Sequence, residues 1–311
     1  MNINKNNRSA SNRTSKKWER SEEIYAPGGF KEYWETLDDI IHYQLMMMTQ
    51  GIGIPEYLGS LLPKDKILKN MTGLIIGCEY GKYSKAHSFA WTFCFDHILV
   101  VDISEELIKK QMQLSDELGL NDIIEYKVMD LNINSIHGEN VYDLIFSAGT
   151  IHHIERLEGL FSEINTALKK DGIFAMREYI GPNLLQFTDK QLEIANRILD
   201  VLPTDIKKMK NDSIKKIVQR NTIEDILDDD PSEAIRSQDI VNVAKDHLKI
   251  LQYTPTGGTI LHPLLHGITQ NFEKGVLEKT LLKLIIIFEK TLMEENIIPS
   301  DFIFLVGAKK I

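Results

Sequence analysis

Short apolar runs alternate along this chain with longer stretches whose apolar positions recur every three or four residues. The runs predict buried strands, and the longer recurrence predicts amphipathic helices. Gly73–Ile76, His97–Val101, Ile123–Val128, Tyr142–Phe146, Ile173–Arg177, Lys249–Tyr253 and Phe302–Ala308 read as strands. Leu107–Leu118, Leu157–Leu168, Ser237–Leu248, Pro263–Phe272 and Val276–Glu294 read as helices, with Gly119 and Gly172 as stop signals. Strands separated mainly by helices predict an α/β fold with a doubly wound, mostly parallel sheet.

The alternation starts only near residue 71, which makes 71–311 the main domain. Residues 21–70 predict an N-terminal helical cap, with Tyr33, Trp34, Leu37, Ile40 and Ile41 at helical spacing. Residues 1–20 are rich in Asn, Ser, Lys and Arg and predict a disordered basic tail. Residues 183–236 are polar and helical without a convincing strand, so they predict a helical lid inserted after strand five. The acidic run Asp228–Glu233 reads as a helix start capped by Ser232.

With 311 residues and 43% hydrophobic content, the chain can bury a substantial core. A net charge of −9 argues against a nucleic-acid surface, which normally leaves a basic footprint. Cys78 and Cys94 cannot make a disulfide framework or a four-thiolate zinc site. The apolar run Leu281–Phe288 is too short to span a membrane. A cytoplasmic protein acting on a small or neutral partner is expected, with a homodimer compatible but not specified.

Met71–Asp102 carries the most chemical information. A strand leads into the turn Gly77-Cys78-Glu79-Tyr80-Gly81, then a helix, then a strand ending in Asp102. Glycines let the backbone turn sharply and approach a ligand. An acid ~20 residues after the turn can accept two ribose hydroxyls. A nucleotide-like ligand is expected, with Cys78 as packing within the loop.

From these residues onward the chain resembles class I S-adenosylmethionine-dependent methyltransferases. The glycine turn, Asp102 in VVDIS, Asp130 in KVMDLN, YDLIFSAGTIHHI and LKKDGIFAMREY match the family's blocks in order over about residues 71–180. EYIGPNLLQFTDKQ, DPSEAIRSQDI and GGTILHPLLHGITQNF are similar to a bacterial subgroup associated with surface-glycan and secondary-metabolite clusters. The resemblance implies a Rossmann-like, seven-stranded sheet and S-adenosyl-L-methionine as cofactor. It places that cofactor on Gly77, Cys78, Glu79, Gly81, Asp102, Ile103, Asp130, Leu131 and Ser147. It implies O-methylation of a sugar or small metabolite, with N-methylation of an amino sugar close behind.

Two positions depart from the family pattern. Ile75 stands where an acid usually precedes the loop, and Glu79 stands at its usual central glycine. Glu79 can take over the cofactor ammonium, or it can obstruct the site, as a catalytically silent scaffold would allow. A nicotinamide dehydrogenase is a weaker rival, since Ser84 occupies the position three after Gly81. His152, just past strand four, is the expected general base, with Glu178 at the end of strand five as its orienter. His153, Tyr179 and Arg236 are the expected acceptor contacts, although an ion pair with the nearby acidic run is the simpler role for Arg236. His262 and His266 have metal-compatible spacing but lack the companion glutamate of a zinc motif, so no metal is expected.

Overall fold

The structure is a computed structural model describing residues 13–17, 33–64, 70–79, 81 and 84–311. Seven strands form one sheet: β1 (Met71–Ile76), β2 (Phe95–Asp102), β3 (Ile124–Val128), β4 (Tyr142–Ala148), β5 (Leu168–Tyr179), β6 (Leu248–Gly257) and β7 (Phe302–Lys309). Their order is β3-β2-β1-β4-β5-β7-β6. β7 runs antiparallel to both β5 and β6, and the other pairings are parallel. The doubly wound, mostly parallel sheet is as the sequence predicts. The chain moves outward from β1 to β3, then returns to β4 on the other side of β1. That reversal opens a crevice at the carboxyl ends of β1 and β4, where open α/β sheets bind ligands.

The strands read as continuous apolar runs because both sheet faces are covered. Leu74, Ile76, Ile145, Phe174, Met176 and Leu305 face one core, against α5 (Leu157–Ala167) and α8 (Ile240–His247). Their neighbours Ile75, Leu144, Phe146, Ala175 and Phe304 face the other. There they meet α1 (Asp38–Thr49), α2 (Ile54–Leu61) and α3 (Lys85–Thr92). The period-two division of side chains between the faces is what fixes the register.

The predicted lid is a packed element. Ile194, Leu199, Ile206 and Val218 share a third core with Trp34, Leu37, Ile260, Phe272, Leu282 and Phe302. Its helices are α6 (Asp189–Val201), started by a Thr188–Gln191 capping box, and α7 (Ile223–Asp229). α9 (Leu261–Leu265) and α10 (Val276–Glu294) complete this layer. Buried Glu289 on α10 accepts N–H groups from Gly258, Ile260 and Leu261, pinning the turn after β6.

Two further expectations are corrected. The acidic run is the end of α7, with Asp230 at its C-cap. Carboxylates there oppose the helix dipole and need compensating cations. Residues 13–17, expected within a disordered tail, are helical and supply them. Lys17 Nζ lies 2.8 Å from Asp229 and 3.5 Å from Glu233, and buried Thr14 donates to Asp230 at 2.7 Å. The remainder of that tail, residues 21–32 of the cap and residues 65–69 lie outside the described residues.

Candidate active site

The loop after β1 is shaped by two close approaches. Gly77 has φ +93°, and a Cβ there would stand 2.0 Å from Thr150 Oγ1, so the turn after β4 can approach only a glycine. Gly81 has φ +114° and is held from α4 (Glu105–Glu117) by buried Gln111. The Gln111 amide accepts the Gly81 N–H at 3.1 Å and donates to its carbonyl at 3.0 Å. Sequence reasoning missed Gln111, because its partner lies thirty residues earlier in a loop with no periodic pattern.

Asp102 closes β2 beneath this loop. Its Oδ2 accepts the Cys78 N–H at 2.7 Å and its Oδ1 the Ser104 N–H at 2.7 Å. Each oxygen therefore retains acceptor capacity for one of two vicinal hydroxyls. Burial raises the Asp102 pKa to about 6, against the backbone N–H groups that favour the carboxylate. Ile103 follows, and its carbonyl accepts from Ser15 Oγ at 3.4 Å. Asp130 lies two residues past β3, where its Oδ1 accepts the Asn132 N–H at 2.9 Å. Leu131 is buried beside it. Ser147 is fully buried on β4, and among the described residues its hydroxyl has no hydrogen-bond partner. The glycine cradle, the ribose-type acid and this orphaned hydroxyl fit a nucleoside cofactor at the β1–β4 crevice.

Glu79 points toward the start of α3. Its Oε2 accepts the Lys85 N–H at 2.9 Å, and Lys85 Nζ lies 3.4 Å away. Beside the pair opens a cavity of about 370 Å³, within the range of small-molecule sites. Ile41, Leu45, Met48 and Ile54 of the cap form its apolar wall, facing Phe146 and Ala148 of β4. Arg177 stands at one end and donates to Glu35, and to Gln44 at 2.7 Å. The cavity thus lies on the cap side of the sheet. The insertion does not line it.

The predicted His152–Glu178 pair forms. His152 Nδ1 lies 2.5 Å from Glu178 Oε1. Glu178 is buried and also accepts N–H groups from Thr150 at 3.0 Å, Ile151 at 2.7 Å and Tyr179 at 2.9 Å. One carboxylate thereby fixes the whole turn after β4. The other imidazole nitrogen faces Glu233 Oε1 at 3.5 Å. Burial disfavours charge on this ring, but Glu178, Glu233 and Asp230 outweigh it and raise the pKa to about 9. At neutral pH the ring is an imidazolium between carboxylates, with no lone pair for an acceptor's proton. Burial and His152 push His153 the other way, toward neutrality; its Nδ1 lies 3.0 Å from Ser232 Oγ.

Tyr179 and Arg236 do not line that cavity. Tyr179 is buried, donates to the Pro182 carbonyl at 3.0 Å and packs against Phe302 with centroids 5.2 Å apart. Arg236 makes an ion pair, but with Glu158 at 2.7 Å and Asp239 at 3.0 Å rather than with the acidic run. The sequence missed Lys17, Asp230 and Glu233, which join His152 only through the tertiary fold.

The sheet order and the crevice define a Rossmann-like α/β fold of the methyltransferase type. Within it, residues 74–176 match the family model described as a methyltransferase domain. The chain is 29% identical over 153 residues to malonyl-[acyl-carrier protein] O-methyltransferase 2 of Ilyobacter polytropus, covering 46% of this chain and 54% of that protein. It is 30% identical over 115 residues to a probable S-adenosylmethionine-dependent methyltransferase of Saccharomyces cerevisiae, covering 37% and 38%. The chain therefore spans about half or less of the curated relatives it matches. Geranyl diphosphate C-methyltransferase from Streptomyces coelicolor A3(2) superposes with a TM-score of 0.49 at 13% identity, over 82% of this chain and 75% of that one. Among the described residues, no helix is long and apolar enough to cross a membrane.

Proposed function

We propose that the chain is an S-adenosylmethionine-dependent methyltransferase that O-methylates a small metabolite or sugar. The observation that carries this is Asp102 beneath the Gly77 turn, with acceptor capacity left on both oxygens. When bound, S-adenosylmethionine supplies an activated methyl on a sulfonium leaving group. The protein's task is then to align the acceptor with that methyl, which alone can contribute several kcal/mol.

Glu79 and Lys85 extend the reading to the amino-acid end of the cofactor. They present one negative and one positive group side by side. A zwitterion can exchange into that pair, its ammonium on Glu79 and its carboxylate on Lys85. This answers the missing acid at position 75. It also removes the repulsion that Glu79 alone would exert on the carboxylate.

The 370 Å³ cavity is the proposed acceptor site. Its apolar wall suits a metabolite with a hydrocarbon body better than a bare sugar. Arg177 can exchange Glu35 for an anionic group of the acceptor. A carboxylate acceptor arrives ionised and needs no base. His152 does not line this cavity, so it could serve a hydroxyl acceptor only where that acceptor reaches past the cavity to the β4 turn, after Glu233 releases Nε2 and the ring loses its proton, with Glu178 as the positioning residue.

Calorimetry with S-adenosylhomocysteine, followed by turnover assays on candidate acceptors, tests the reading. Absence of binding would end it. Tight binding without turnover on any acceptor class would instead favour the silent-scaffold alternative.

A further inference from the structure

Beyond the methyl-transfer reading, the cluster behind the β4 turn has the chemistry of a cation site. Ligand atoms of His152, His153 and Glu233 all lie within 4.8 Å of one another. Glu178 accepts from Nδ1 of His152, which directs Nε2 toward Glu233. A carboxylate behind a histidine is the usual way to orient an imidazole for a metal and raise its basicity. The separation of Nε2 from Glu233 Oε1 is 3.5 Å. That is long for a hydrogen bond. Two ligands on a tetrahedral ion at about 2.0–2.1 Å from it stand roughly 3.3 Å apart.

An independent observation comes from Asp230. Its side chain is completely buried, yet among the described residues its Oδ2 has no hydrogen-bond partner. That oxygen lies 3.7 Å from His153 Nδ1 and 4.0 Å from Lys17 Nζ. A buried carboxylate oxygen without a hydrogen bond is costly unless something else compensates its charge. With Glu178, Glu233 and Asp230 ionised, Lys17 and protonated His152 leave one negative charge uncompensated, and displacement of that proton by a metal raises the deficit to two. Asp229 adds a third carboxylate contact to Lys17 but is 70% exposed and solvated. One divalent cation would balance the cluster.

We propose that His152, His153 and Glu233, with Asp230 at the rim, bind one divalent transition-metal ion of the Zn²⁺ or Mn²⁺ type. Two imidazoles favour these ions over Ca²⁺ or Mg²⁺, which prefer oxygen. Lys17 remains beside the outer oxygen of Glu233. The ion takes the position of the proton on His152 Nε2, so metal and proton compete for one lone pair.

The test uses the full chain, stripped with a chelator and titrated with Zn²⁺ and with Co²⁺ as a visible reporter. The expected result is one equivalent bound, with absorption bands of imidazole and carboxylate coordination. Glu233→Gln should weaken binding at least tenfold. Glu178→Gln, which lies behind His152 and is not itself a ligand, should weaken it about 10–100-fold. If Glu178→Gln does not fold, the wild-type spectrum and Glu233→Gln decide alone. No stoichiometric uptake by the wild type overturns the site, as does uptake unchanged in Glu233→Gln. So does nitrogen NMR showing both His152 ring protons retained at one equivalent of Zn²⁺. None of these readouts depends on methyl transfer.

Discussion

The two halves of the sheet's carboxyl edge are built on opposite terms. Along β2, β1 and β4, polar groups hold capacity in reserve. Asp102 keeps acceptor sites on both oxygens, and the Ser147 hydroxyl is unpartnered among the described residues. At the β5 end, Glu178 is saturated by three backbone N–H groups and an imidazole. Both carboxylates stand at a strand terminus, and either could be taken for a catalytic group from position alone. Their hydrogen bonds separate them. Reserve capacity marks a place for a ligand, whereas saturation marks a group that holds the protein's own turn.

The largest effect should fall on the unsaturated side. Asp102→Ala removes two hydrogen bonds to a charged group, each worth about 1.5–3 kcal/mol. S-adenosylhomocysteine affinity should fall by roughly 10²–10⁴, read by calorimetry on the folded variant. Unchanged affinity would break the comparison at its first term.

On the saturated side the cost should appear in stability instead. Glu178→Ala strands three backbone N–H groups and leaves His152 facing only Glu233. Breaking a buried charged pair costs about 3–5 kcal/mol, which a denaturant midpoint would show. A fully stable Glu178→Ala protein with lost turnover would return Glu178 to catalysis.

The same contrast explains what could be read from the chain. All seven strands and the loop with Gly77, Gly81 and Asp102 were legible, because their signals are local. Apolar runs give strands, and a glycine turn followed by a strand-terminal acid gives the loop over Asp102. The His152–Glu178 contact was legible too, since adjoining strand ends converge in any such sheet. The protonation of His152 was not. It depends not only on Glu178 but on Glu233 and Asp230, which the insertion returns to the sheet from a remote stretch. Read locally, an acidic run looks like a helix start; only the fold shows α7 ending there.

The Glu79–Lys85 pair sharpens the first half. If it receives a zwitterion, Glu79→Gly and Lys85→Ala should each weaken cofactor binding about tenfold, as expected for loss of one partly exposed charge-assisted contact. Tighter binding by Glu79→Gly would make Glu79 an obstruction and support a silent scaffold.

Asp102 also gives a pH dependence. Its folded pKa of about 6 lies above its ordinary 3.8 because of burial. A raised pKa means the native state holds the proton more tightly than the unfolded chain. Its contribution to apo stability is therefore present below the unfolded value and lost as pH rises through about 6. Ribose hydroxyls need the carboxylate, so cofactor affinity should move the other way, falling up to tenfold per unit below pH 6. A flat profile in Asp102→Asn, with the wild-type slope intact, would assign the limb to this group.

The smallest effect belongs to Arg236, which the sequence offered as an acceptor contact. Its guanidinium meets Glu158 through both terminal nitrogens, at 2.9 and 2.7 Å, and meets Asp239 through Nε at 3.0 Å. Glu158 is more than half exposed, so water screens much of the attraction. Exposed pairs of this kind are typically worth about 0–1 kcal/mol. Arg236→Ala should therefore cost at most about 1 kcal/mol in stability, with that loss shrinking further at high salt. KM for any acceptor should stay within twofold, because the guanidinium does not line the 370 Å³ cavity. The experiment cuts cleanly. If Arg236→Ala raised the acceptor KM tenfold while its denaturation curve stayed in place, the acceptor would have to reach the insertion side of the sheet. The cap-side cavity would then lose its assignment, and the β5 half would regain a ligand despite its saturated hydrogen bonds.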